Sequence, residues 1–407
     1  MRTRSNIWVG KVTAVLFAVI MCASVPAYSG PIDYKTGFEP PVFQPGPLNG
    51  QDGWEHPQKT ASISVQSPIS GQQSIEVDGA DLPPLGGGWI GTRFGRFSIY
   101  DPISGHTPVI DASVDVQLAG PSSDTGQGPA DDLISANLDF FGTDSESNPL
   151  LLGSLMLSSS GEVWVFGSRS QDAYAAGVPI KLSAPHRLKV RADFSTRRTQ
   201  YFVDGKRVEF LIKGKRSATL PFGPEMRDAI FAGGFLSVFA VDDPQLDPAL
   251  YTARYDNYSV TALVPVAFDI KPGSCPNRLD VESTRVLPAA VLGSKALDVS
   301  KIDPQTLRLM VGQRPKKGIA PLKWAVQDVA TPYKPYLGKV NSSDCSDSGP
   351  DGYNDLTVRF KLDAVADYLL ALKDGTVIVL TITGKMKPEF GGAAFTGEDV
   401  ALIVNKS

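Results

Sequence analysis

The chain has 407 residues and a mildly acidic balance, with 39 Lys and Arg residues against 43 Asp and Glu residues. A net charge of −4 gives the chain no electrostatic reason to bind DNA, RNA or anionic lipid, so we expect no nucleic-acid partner. The three histidines, His56, His106 and His186, are far apart in sequence, which argues against a zinc site.

The first 29 residues have the features of a secretory signal. Arg2, Arg4 and Lys11 form a positive start, and the apolar run 12–22 is shorter than the roughly 18 residues needed to span a bilayer. Residues 25–29 then supply a proline and small side chains, as a signal peptidase requires. We therefore predict a signal peptide over residues 1–29 and a secreted mature protein, extracellular or periplasmic, with association with the cell surface left open.

Two alternatives concern the processing of this N-terminus. A lipoprotein would be anchored through Cys22, but Met21 before it fits poorly because that processing requires a small residue there. An uncleaved membrane anchor is the second alternative. No later stretch is long and apolar enough for a transmembrane helix, so we predict a mature chain without a transmembrane anchor.

Cleavage would leave a mature chain of about 378 residues. The removed segment carries three positive charges and no negative charge, so the net charge changes from −4 to −7. A chain of this length exceeds one comfortable hydrophobic core. We therefore predict two domains, residues 30–265 and residues 266–407.

Strand patterns dominate the mature chain. Residues Ala112–Leu118 and His186–Phe194 alternate apolar and polar side chains, which is typical of half-buried antiparallel strands. Asp204 and Gly205 can take the positive φ angles of a tight turn, which predicts a hairpin over Tyr201–Val208. Many short strands joined by Gly and Pro turns predict an all-β fold, either a sandwich or a jelly roll.

Five segments give the first domain a family resemblance. They are Thr36–Glu39, Leu48–Trp54, Ser70–Val77, Arg187–Gly205 and Arg254–Val260. Together they resemble the beginning and the end of bacterial concanavalin A-like (laminin G-like) domains, over about residues 32–262. The resemblance implies a concanavalin A-like jelly-roll sandwich. It implies little about function, because this sandwich occurs in lectins, hydrolases, lyases and inert spacers.

Four segments give the second domain a different resemblance. They are Phe268–Asn277, Val286–Gly293, Ile302–Leu307 and Gly349–Leu356. In this order they resemble a β domain that is common at the C-termini of secreted bacterial proteins and has no established activity. The resemblance implies a smaller β-rich domain, and helical spacing of apolar residues predicts one short helix over residues 363–373.

Cys22 leaves with the predicted signal, so Cys275 and Cys345 remain. An even pair of cysteines in an oxidising compartment predicts a disulfide. This bond would close a loop of about 70 residues, which the chain-entropy model credits with roughly 4 kcal/mol of stability. Two free thiols are the alternative.

The best metal candidate is the segment from Asp347 to Asp355. An EF-type calcium loop supplies oxygen ligands at positions 1, 3, 5, 7 and 9, with glycine at position 6. Counting Asp347 as position 1 places Asp351 at 5, Gly352 at 6, the Tyr353 carbonyl at 7 and Asp355 at 9. Calcium is therefore the candidate cofactor.

The loop departs from the EF pattern at two positions. Gly349 stands at position 3 and Val358 at position 12, where the pattern has oxygen ligands. Asp344 could fold in as a substitute. The alternative is a Gly/Pro/Asp turn whose carboxylates cap backbone amides.

The candidate catalytic set is Glu76, Asp78 and Asp81. Glu76 and Asp78 are alternate residues of a predicted strand and share a face, and two carboxylates are what glycoside hydrolysis needs. Jelly-roll glucanases have Glu, Asp and Glu at similar spacing, whereas the third acid here is Asp81. The alternative, which we favour, is that Asp78 and Gly79 form a turn at the end of a strand. We therefore assign no catalytic residue.

Flat aromatic side chains can stack on sugar rings. The segment Glu162–Phe166 is apolar on both faces, so either its two valines or Trp164 and Phe166 could line a concave surface. Trp89 follows three glycines in a predicted loop and is another candidate ligand-binding residue. Core packing is the alternative for each.

These features predict an exported, non-enzymatic binding or structural protein. A polysaccharide or glycoconjugate is the favoured partner of the first domain. One alternative is a polysaccharide-cleaving enzyme of jelly-roll type, a glycoside hydrolase or lyase, and another is an inert cell-surface or matrix component. Convergence of the candidate acids in a groove would favour the enzyme.

We expect secreted material to begin close to Gly30, because the small residues before it fit a signal peptidase. N-terminal sequencing of the exported protein measures this directly. Retention of Arg2 in exported material would contradict the prediction.

Overall fold

A computed structural model describes residues 32–404, apart from Pro57, residues 122–133, 168–172, 176–179, 213–214, 243–245 and 283–284, and residue 313. The predicted signal peptide, residues 1–29, lies outside the described residues. The chain divides into two compact units between residues 262 and 263, three residues before the predicted boundary.

The first unit is built from strands joined by loops and short 3-10 turns. Its strands are β1 (Asp33–Thr36), β2 (Gly46–Pro47), β3 (Trp54–Glu55), β4 (Ala61–Ser64), β5 (Ser74–Asp78), β6 (Pro84–Gly86), β7 (Trp89–Tyr100), β8 (Val109–Ala119), β9 (Ile134–Thr143), β10 (Pro149–Ser158), β11 (Val163–Phe166), β12 (Ala173–Ala175), β13 (His186–Asp193), β14 (Arg198–Val203), β15 (Lys206–Arg207), β16 (Phe210–Ile212), β17 (Lys215–Ser217), β18 (Leu220–Pro221), β19 (Ile230–Val241) and β20 (Thr252–Pro265). The 3-10 turns are Gln51–Gly53, Gly79–Asp81, Pro224–Met226 and Pro248–Leu250.

Two sheets form the first unit. Sheet 1 has the order β15-β14-β13-β8-β20, with β1 and β5 also paired to β20, β4 to β5, β2 to β4 and β18 to β14. Sheet 2 has the order β12-β11-β10-β9-β19-β7-β3, with β6 paired to β7. β16 and β17 pair separately. The predicted hairpin is confirmed, since β14 and β15 turn at Asp204 and Gly205, both with positive φ.

The core of the first unit lies between the two sheets. Val114 and Leu188 of sheet 1 and Leu138 and Leu155 of sheet 2 are fully buried in one cluster. The alternating strands predicted at 112–118 and 186–194 therefore turn their apolar side chains to this core. The predicted all-β fold is confirmed, and the first unit is a sandwich of two sheets.

Two tyrosines of sheet 1 donate hydrogen bonds to the main chain of sheet 2. The Tyr255 hydroxyl donates to the Ser237 carbonyl at 2.7 Å, and the Tyr258 hydroxyl donates to the Gly234 carbonyl at 2.6 Å. Burial raises the pKa of both hydroxyls well above their ordinary value, so both stay neutral donors. They hold β19 at a fixed distance from β20.

A third tyrosine holds β11 in the same way, and glycines make room for these hydroxyls. The Tyr201 hydroxyl donates to the Phe166 carbonyl at 2.7 Å. A Cβ on Gly153 would lie 2.6 Å from the Tyr201 hydroxyl, and one on Gly234 would lie 2.7 Å from the Tyr258 hydroxyl. A side chain at either glycine would push the tyrosine away.

The second unit has its own strands and one short α-helix. Its strands are β21 (Phe268–Ile270), β22 (Arg278–Asp280), β23 (Val286–Val291), β24 (Ile302–Val311), β25 (Arg314–Ile319), β26 (Pro321–Gln327), β27 (Asp355–Lys361), β28 (Val377–Met386) and β29 (Ala394–Val404). The α-helix α1 is Ala366–Leu370, and 3-10 turns lie at Val299–Lys301, Leu362–Val365 and Pro388–Phe390. No helix in the described part of the chain has the length and apolarity needed to cross a membrane.

Two sheets form the second unit as well. Sheet 3 has the antiparallel order β21-β23-β27-β26. Sheet 4 has the order β29-β28-β24-β25, with β22 and the last residues of β20 parallel to β29. Side chains from both sheets, including Leu287, Phe360, Leu309 and Phe395, are fully buried in one core.

The predicted helix over 363–373 is shorter than expected. A 3-10 turn, Leu362–Val365, leads into α1, which ends at Leu370. The chain then turns back through a hydrogen bond from the Thr376 amide to the Lys373 carbonyl, next to Gly375 at a φ of 76°. This turn starts β28 and prevents another helical turn.

Residues 328–354 connect β26 to β27 without a strand or helix, and side chains attach this connection to β29. The Lys339 Nζ lies 3.0 Å from the Asp399 Oδ1, and both side chains are buried. The Gly338 amide donates to the Glu398 Oε2 at 2.7 Å. A buried charge pair needs further hydrogen bonds to offset its lost hydration. The Asp399 carboxylate accepts two such bonds.

Asp399 also organises the start of the second unit. Its Oδ2 accepts hydrogen bonds from the Ile270 amide at 2.8 Å and the Asn277 Nδ2 at 3.0 Å. Beside it, Asp269 is 7% exposed. Burial and the Asp399 carboxylate raise the pKa of Asp269 to about 8, although Lys339 opposes the shift. Asp269 is therefore neutral in the folded protein at pH 7.

We expect Asp269→Asn to stabilise the second unit at neutral pH and not near pH 4. In the unfolded chain Asp269 ionises near about pH 3.9, whereas the folded group keeps its proton to about pH 8. The folded state thus binds the extra proton in this window, and stability falls as pH rises through it. Asparagine, which cannot ionise, removes this loss.

Thermal unfolding of both proteins from pH 4 to pH 8 measures the effect. The advantage of Asp269→Asn should grow with pH, by at most about 1.4 kcal/mol per pH unit. Asp367→Asn, at an exposed position, is the control. A constant difference between Asp269→Asn and the native protein over this range would contradict the prediction.

Candidate functional site

The alternation of side chains along β11 places two aromatic residues on the face that points away from the core. Val163 and Val165 are 1% and 0% exposed and belong to the core of the first unit. Trp164 and Phe166 alternate with them on the opposite face of sheet 2 and are half-buried. Of the two alternatives left open by the sequence, the valines face the core and the aromatic pair lies outside it.

Strand register extends this outer face across sheet 2. One row runs from Trp164 through Met156, Asn137 and Ser237 to Arg93. The next row runs from Phe166 through Ser154 and Asp139 to Phe235. These nine residues, which come from five strands, are called the outer face below.

An ion pair lies at the centre of the outer face. The Arg93 Nε is 3.3 Å from the Asp139 Oδ2, and the two side chains are 7% and 1% exposed. Asp139 also accepts hydrogen bonds from the Ser154 Oγ at 2.6 Å and the Ser237 Oγ at 2.7 Å. Such additional hydrogen bonds fix the geometry of a buried pair. The centre of the outer face is therefore rigid, polar and without net charge.

Aromatic rings surround the Arg93 guanidinium. Its central carbon lies 5.0 Å from the ring centre of Phe141 and 5.4 Å from that of Phe239. Both distances are within the range of a cation–π contact. Burial lowers the pKa of Arg93 and Asp139 opposes this shift, so the guanidinium stays the cation of the pair.

One polar atom of the outer face has an unused hydrogen-bonding capacity. The Asn137 Nδ2 donates to the Ser237 Oγ at 3.2 Å. The Asn137 Oδ1 is buried and accepts no hydrogen bond from any residue that the structure describes. A buried acceptor without a donor is costly. The atom is closed to solvent, so a hydroxyl group from outside the chain would reach it only after the side chains around it move.

An apolar cluster borders the polar centre. Phe141 and Phe235 are 3% and 4% exposed and pack with Phe97 and Leu151, separately from the main core. The Phe235 ring centre lies 4.9 Å from that of Phe97 and 5.5 Å from that of Phe141. The outer face therefore combines aromatic side chains with hydrogen-bonding groups, which is the composition of a ligand site. Trp164 and Phe166 are the two of its nine residues that are open to solvent, because the other seven are buried.

The polar centre was not predicted from the sequence, although a signal for it exists. The segment Ile134–Phe140 alternates Ser135, Asn137 and Asp139 with apolar residues. This alternation predicts a strand with one polar face. It does not reveal that Arg93 and Ser237 come to the same place, because they belong to other strands.

Trp89, the other aromatic candidate, is placed differently. It is 8% exposed at the start of β7 and pairs with Val241 of β19. Trp89 lies four residues before Arg93 on β7 with no break in the register between them, so strand alternation puts it on the same face of sheet 2 as Arg93. It does not belong to the core cluster between the sheets, and its burial leaves little of its ring open to a ligand.

The candidate acids do not converge in a groove of sheet 2. Glu76 lies on β5 of sheet 1, and its Oε2 accepts a hydrogen bond from the Arg254 Nε at 2.9 Å. The Asp78 Oδ1 accepts from the Ala80 amide at 2.9 Å and caps the 3-10 turn that contains Asp81, which is exposed. These contacts favour the turn alternative for Asp78 and Asp81 and an ion pair with Arg254 for Glu76.

The predicted disulfide is confirmed. Cys275 and Cys345 are bonded, with 5.5 Å between their Cα atoms and a sequence separation of 70 residues. The bond attaches the 328–354 connection to the loop after β21. The candidate calcium residues follow directly after Cys345.

The most buried carboxylate of the candidate calcium loop, that of Asp355, accepts hydrogen bonds from backbone amides. Asp355 is 0% exposed. Its Oδ1 accepts from the Gly293 amide at 2.8 Å, and its Oδ2 accepts from the amides of Val329 and Ala330 at 2.8 Å and 3.1 Å. Burial raises the pKa of Asp355, and these amides partly offset the shift. Asp355 acts as a cap that joins three segments.

The other members of the candidate loop form turns. The Asp351 Oδ1 accepts from the Tyr353 amide at 3.0 Å, and the Asp344 Oδ2 accepts from the Val340 amide at 2.7 Å. Asp347 is exposed. In the described part of the chain no three His, Cys, Asp or Glu side chains are grouped to hold a metal ion. Calcium binding stays a prediction, and the contacts favour the turn alternative.

No family model matches the chain, and no curated protein matches it. A sialidase structure is 15% identical with a TM-score of 0.33, covering 58% of this chain and 19% of its own. The chain thus spans about a fifth of that sialidase.

Two other similar structures are matched over more of their own length. The basic winged bean lectin with Tn-antigen is 10% identical with a TM-score of 0.34, covering 56% of this chain and 97% of its own. The PL-14 alginate lyase from Aplysia kurodai is 11% identical with a TM-score of 0.32, covering 50% and 87%. Likenesses this weak carry no argument about fold or function. The resemblance to concanavalin A-like domains stays a prediction.

The calcium hypothesis makes a measurable prediction. A site without acids at positions 3 and 12 should be weak, with a Kd on the order of 10⁻⁴ M. About 2 mM calcium would then stabilise the second unit by about 1.8 kcal/mol, seen as a higher melting temperature. Asp351→Ala should abolish this shift, while Asp367→Asn should retain it. No shift, or an equal shift in Asp351→Ala, would leave the turn as the explanation.

Proposed function

We propose that the protein is an exported, non-enzymatic binding protein whose first unit binds a polysaccharide or glycoconjugate at the outer face. The observation that carries the proposal is the position of Trp164 and Phe166. They are half-buried on the side of β11 that faces away from the core, next to a rigid polar centre. If the aromatic residues of β11 were needed for core packing, they would stand at positions 163 and 165, which face the core.

The chemistry of the outer face suits a sugar. Aromatic side chains cover the apolar face of a sugar ring, and buried polar groups bind its hydroxyls. The Asn137 Oδ1 is an acceptor that no described residue uses, and a sugar hydroxyl would reach it after the side chains around it move. Arg93 and Asp139 neutralise each other, so we infer a ligand rich in hydroxyl groups rather than one held by charge.

Binding is better supported than cleavage. Glycoside hydrolysis requires two suitably spaced carboxyl groups. Glu76 is engaged by Arg254 on sheet 1, and Asp78 caps a turn. On the outer face, the contacts of the Asp139 carboxylate are Arg93 and two serine hydroxyls, which suit a structural role.

Binding to a panel of insoluble polysaccharides and a glycan array tests the proposal. We expect Trp164→Ala and Phe166→Ala each to weaken binding by about tenfold, which corresponds to about 1.4 kcal/mol. Trp164→Phe should retain part of the affinity, because a ring remains. The matched control is Trp324→Ala, which removes a 45% exposed tryptophan from the second unit and should not change glycan binding.

Melting temperatures of the same variants separate binding from folding. Truncation of a half-buried ring should lower the stability by less than the roughly 3–5 kcal/mol that is lost when a fully buried Trp or Phe is truncated. Unchanged glycan binding in both outer-face variants would refute the site. Native protein that binds nothing in the panel would support the inert structural alternative.

A further inference from the structure

The strand β26 presents apolar side chains to solvent at the edge of sheet 3. It is the last strand of the order β21-β23-β27-β26. Leu322, Trp324 and Val326 are 55%, 45% and 53% exposed. Edge strands are usually short, charged or covered, so three large apolar residues on one edge need an explanation.

This apolar surface continues the core side of the sheet. Trp324 pairs directly with Val358, and Val326 pairs with Leu356. Directly paired residues of antiparallel strands share a face. Val358 and Leu356 are each 2% exposed in the core, so Trp324 and Val326 extend the core face beyond the covered part of the sheet.

The other face of the same edge is basic. Lys323 pairs directly with Arg359 of β27, and both side chains are exposed. Like charges placed directly opposite each other are unfavourable. Among the residues that the structure describes, neither side chain forms an ion pair. A negative charge placed beside this pair would relieve the repulsion.

We propose that β26 is a docking edge for an extended strand of a partner protein in which apolar residues alternate with Asp or Glu residues. A strand added to β26 would extend both faces of sheet 3, because successive side chains point to opposite faces. Its apolar residues would cover Trp324 and Val326. Its acidic residues would lie beside Lys323 and Arg359.

A second copy of the chain fits the edge less well. Antiparallel pairing of two β26 strands would bring a second Lys323 and Arg359 to the basic face, and a lysine on an edge strand discourages such pairing. An anionic lipid surface also fits less well. It would contact the apolar and basic groups from one side, whereas here they lie on opposite faces of the sheet.

Two synthetic seven-residue peptides test the proposal with the full mature chain. One alternates Val and Glu, and the other alternates Val and Lys. We expect the Val/Glu peptide to bind at least about tenfold more tightly than the Val/Lys peptide, and its affinity to fall with added salt. Isothermal titration measures both affinities.

Charge reversal provides the decisive variant. Lys323→Glu with Arg359→Glu should invert the preference, so that the Val/Lys peptide binds more tightly. Arg285→Glu with Lys295→Glu makes the same change in charge at two other exposed positions of the second unit and should keep the native preference. Trp324→Ala should weaken both peptides, because they share the apolar contact.

Four outcomes would overturn the proposal. Equal affinity for the two peptides, or the same preference after charge reversal, would remove the charge argument. Binding to phosphatidylglycerol vesicles without binding to the Val/Glu peptide would identify a lipid surface. A concentration-dependent dimer that Trp324→Asp dissociates, measured by analytical ultracentrifugation, would identify a second copy.

Discussion

Hydrogen bonds from buried tyrosines to strand carbonyls fix the spacing of the first unit, and the outer face depends on them. Tyr255 and Tyr258 hold β19 from the side of the core, and Tyr201 holds β11 at the carbonyl of Phe166. A phenol can bridge a sandwich in this way because its ring fills the core while its hydroxyl bonds the opposite sheet. Gly153 completes the arrangement by making room for Tyr201. The strands that carry the candidate site are thus positioned by contacts on their other side.

The two faces of sheet 2 cannot vary independently. A slip of one residue in β11 would exchange Val163 and Val165 with Trp164 and Phe166, which would put the rings in the core and the valines outside. The core volume prevents this exchange, because tryptophan is much larger than valine. Core packing therefore determines which aromatic residues are presented outside. The site is a consequence of the register and needs no loop to position it.

The sequence predicts what depends on neighbouring residues. It predicted the alternating strands and the Asp204-Gly205 hairpin, and it restricted β11 to two alternatives. The cysteine pair, 70 residues apart, was predicted by counting instead, because only two cysteines follow the predicted signal. The sequence could not predict the network around Asp139, since Arg93 is 46 residues away and Ser237 is 98 residues away along the chain. It could also not predict that the amides of distant residues would donate hydrogen bonds to the Asp355 carboxylate. The position of Asp355 in the sequence alone is suitable for a calcium ligand.

In the second unit, the segments that carry the family resemblance mostly hold the fold together. Asp269 and Asn277 surround Asp399, Cys275 forms the disulfide, and Asp355 caps three amides. Buried polar groups of this kind tolerate little change, because loss of one partner leaves another unsatisfied. They form the framework of the second unit. The exposed strand β26 lies outside this framework, so its side chains can change without removing a partner from a buried polar group.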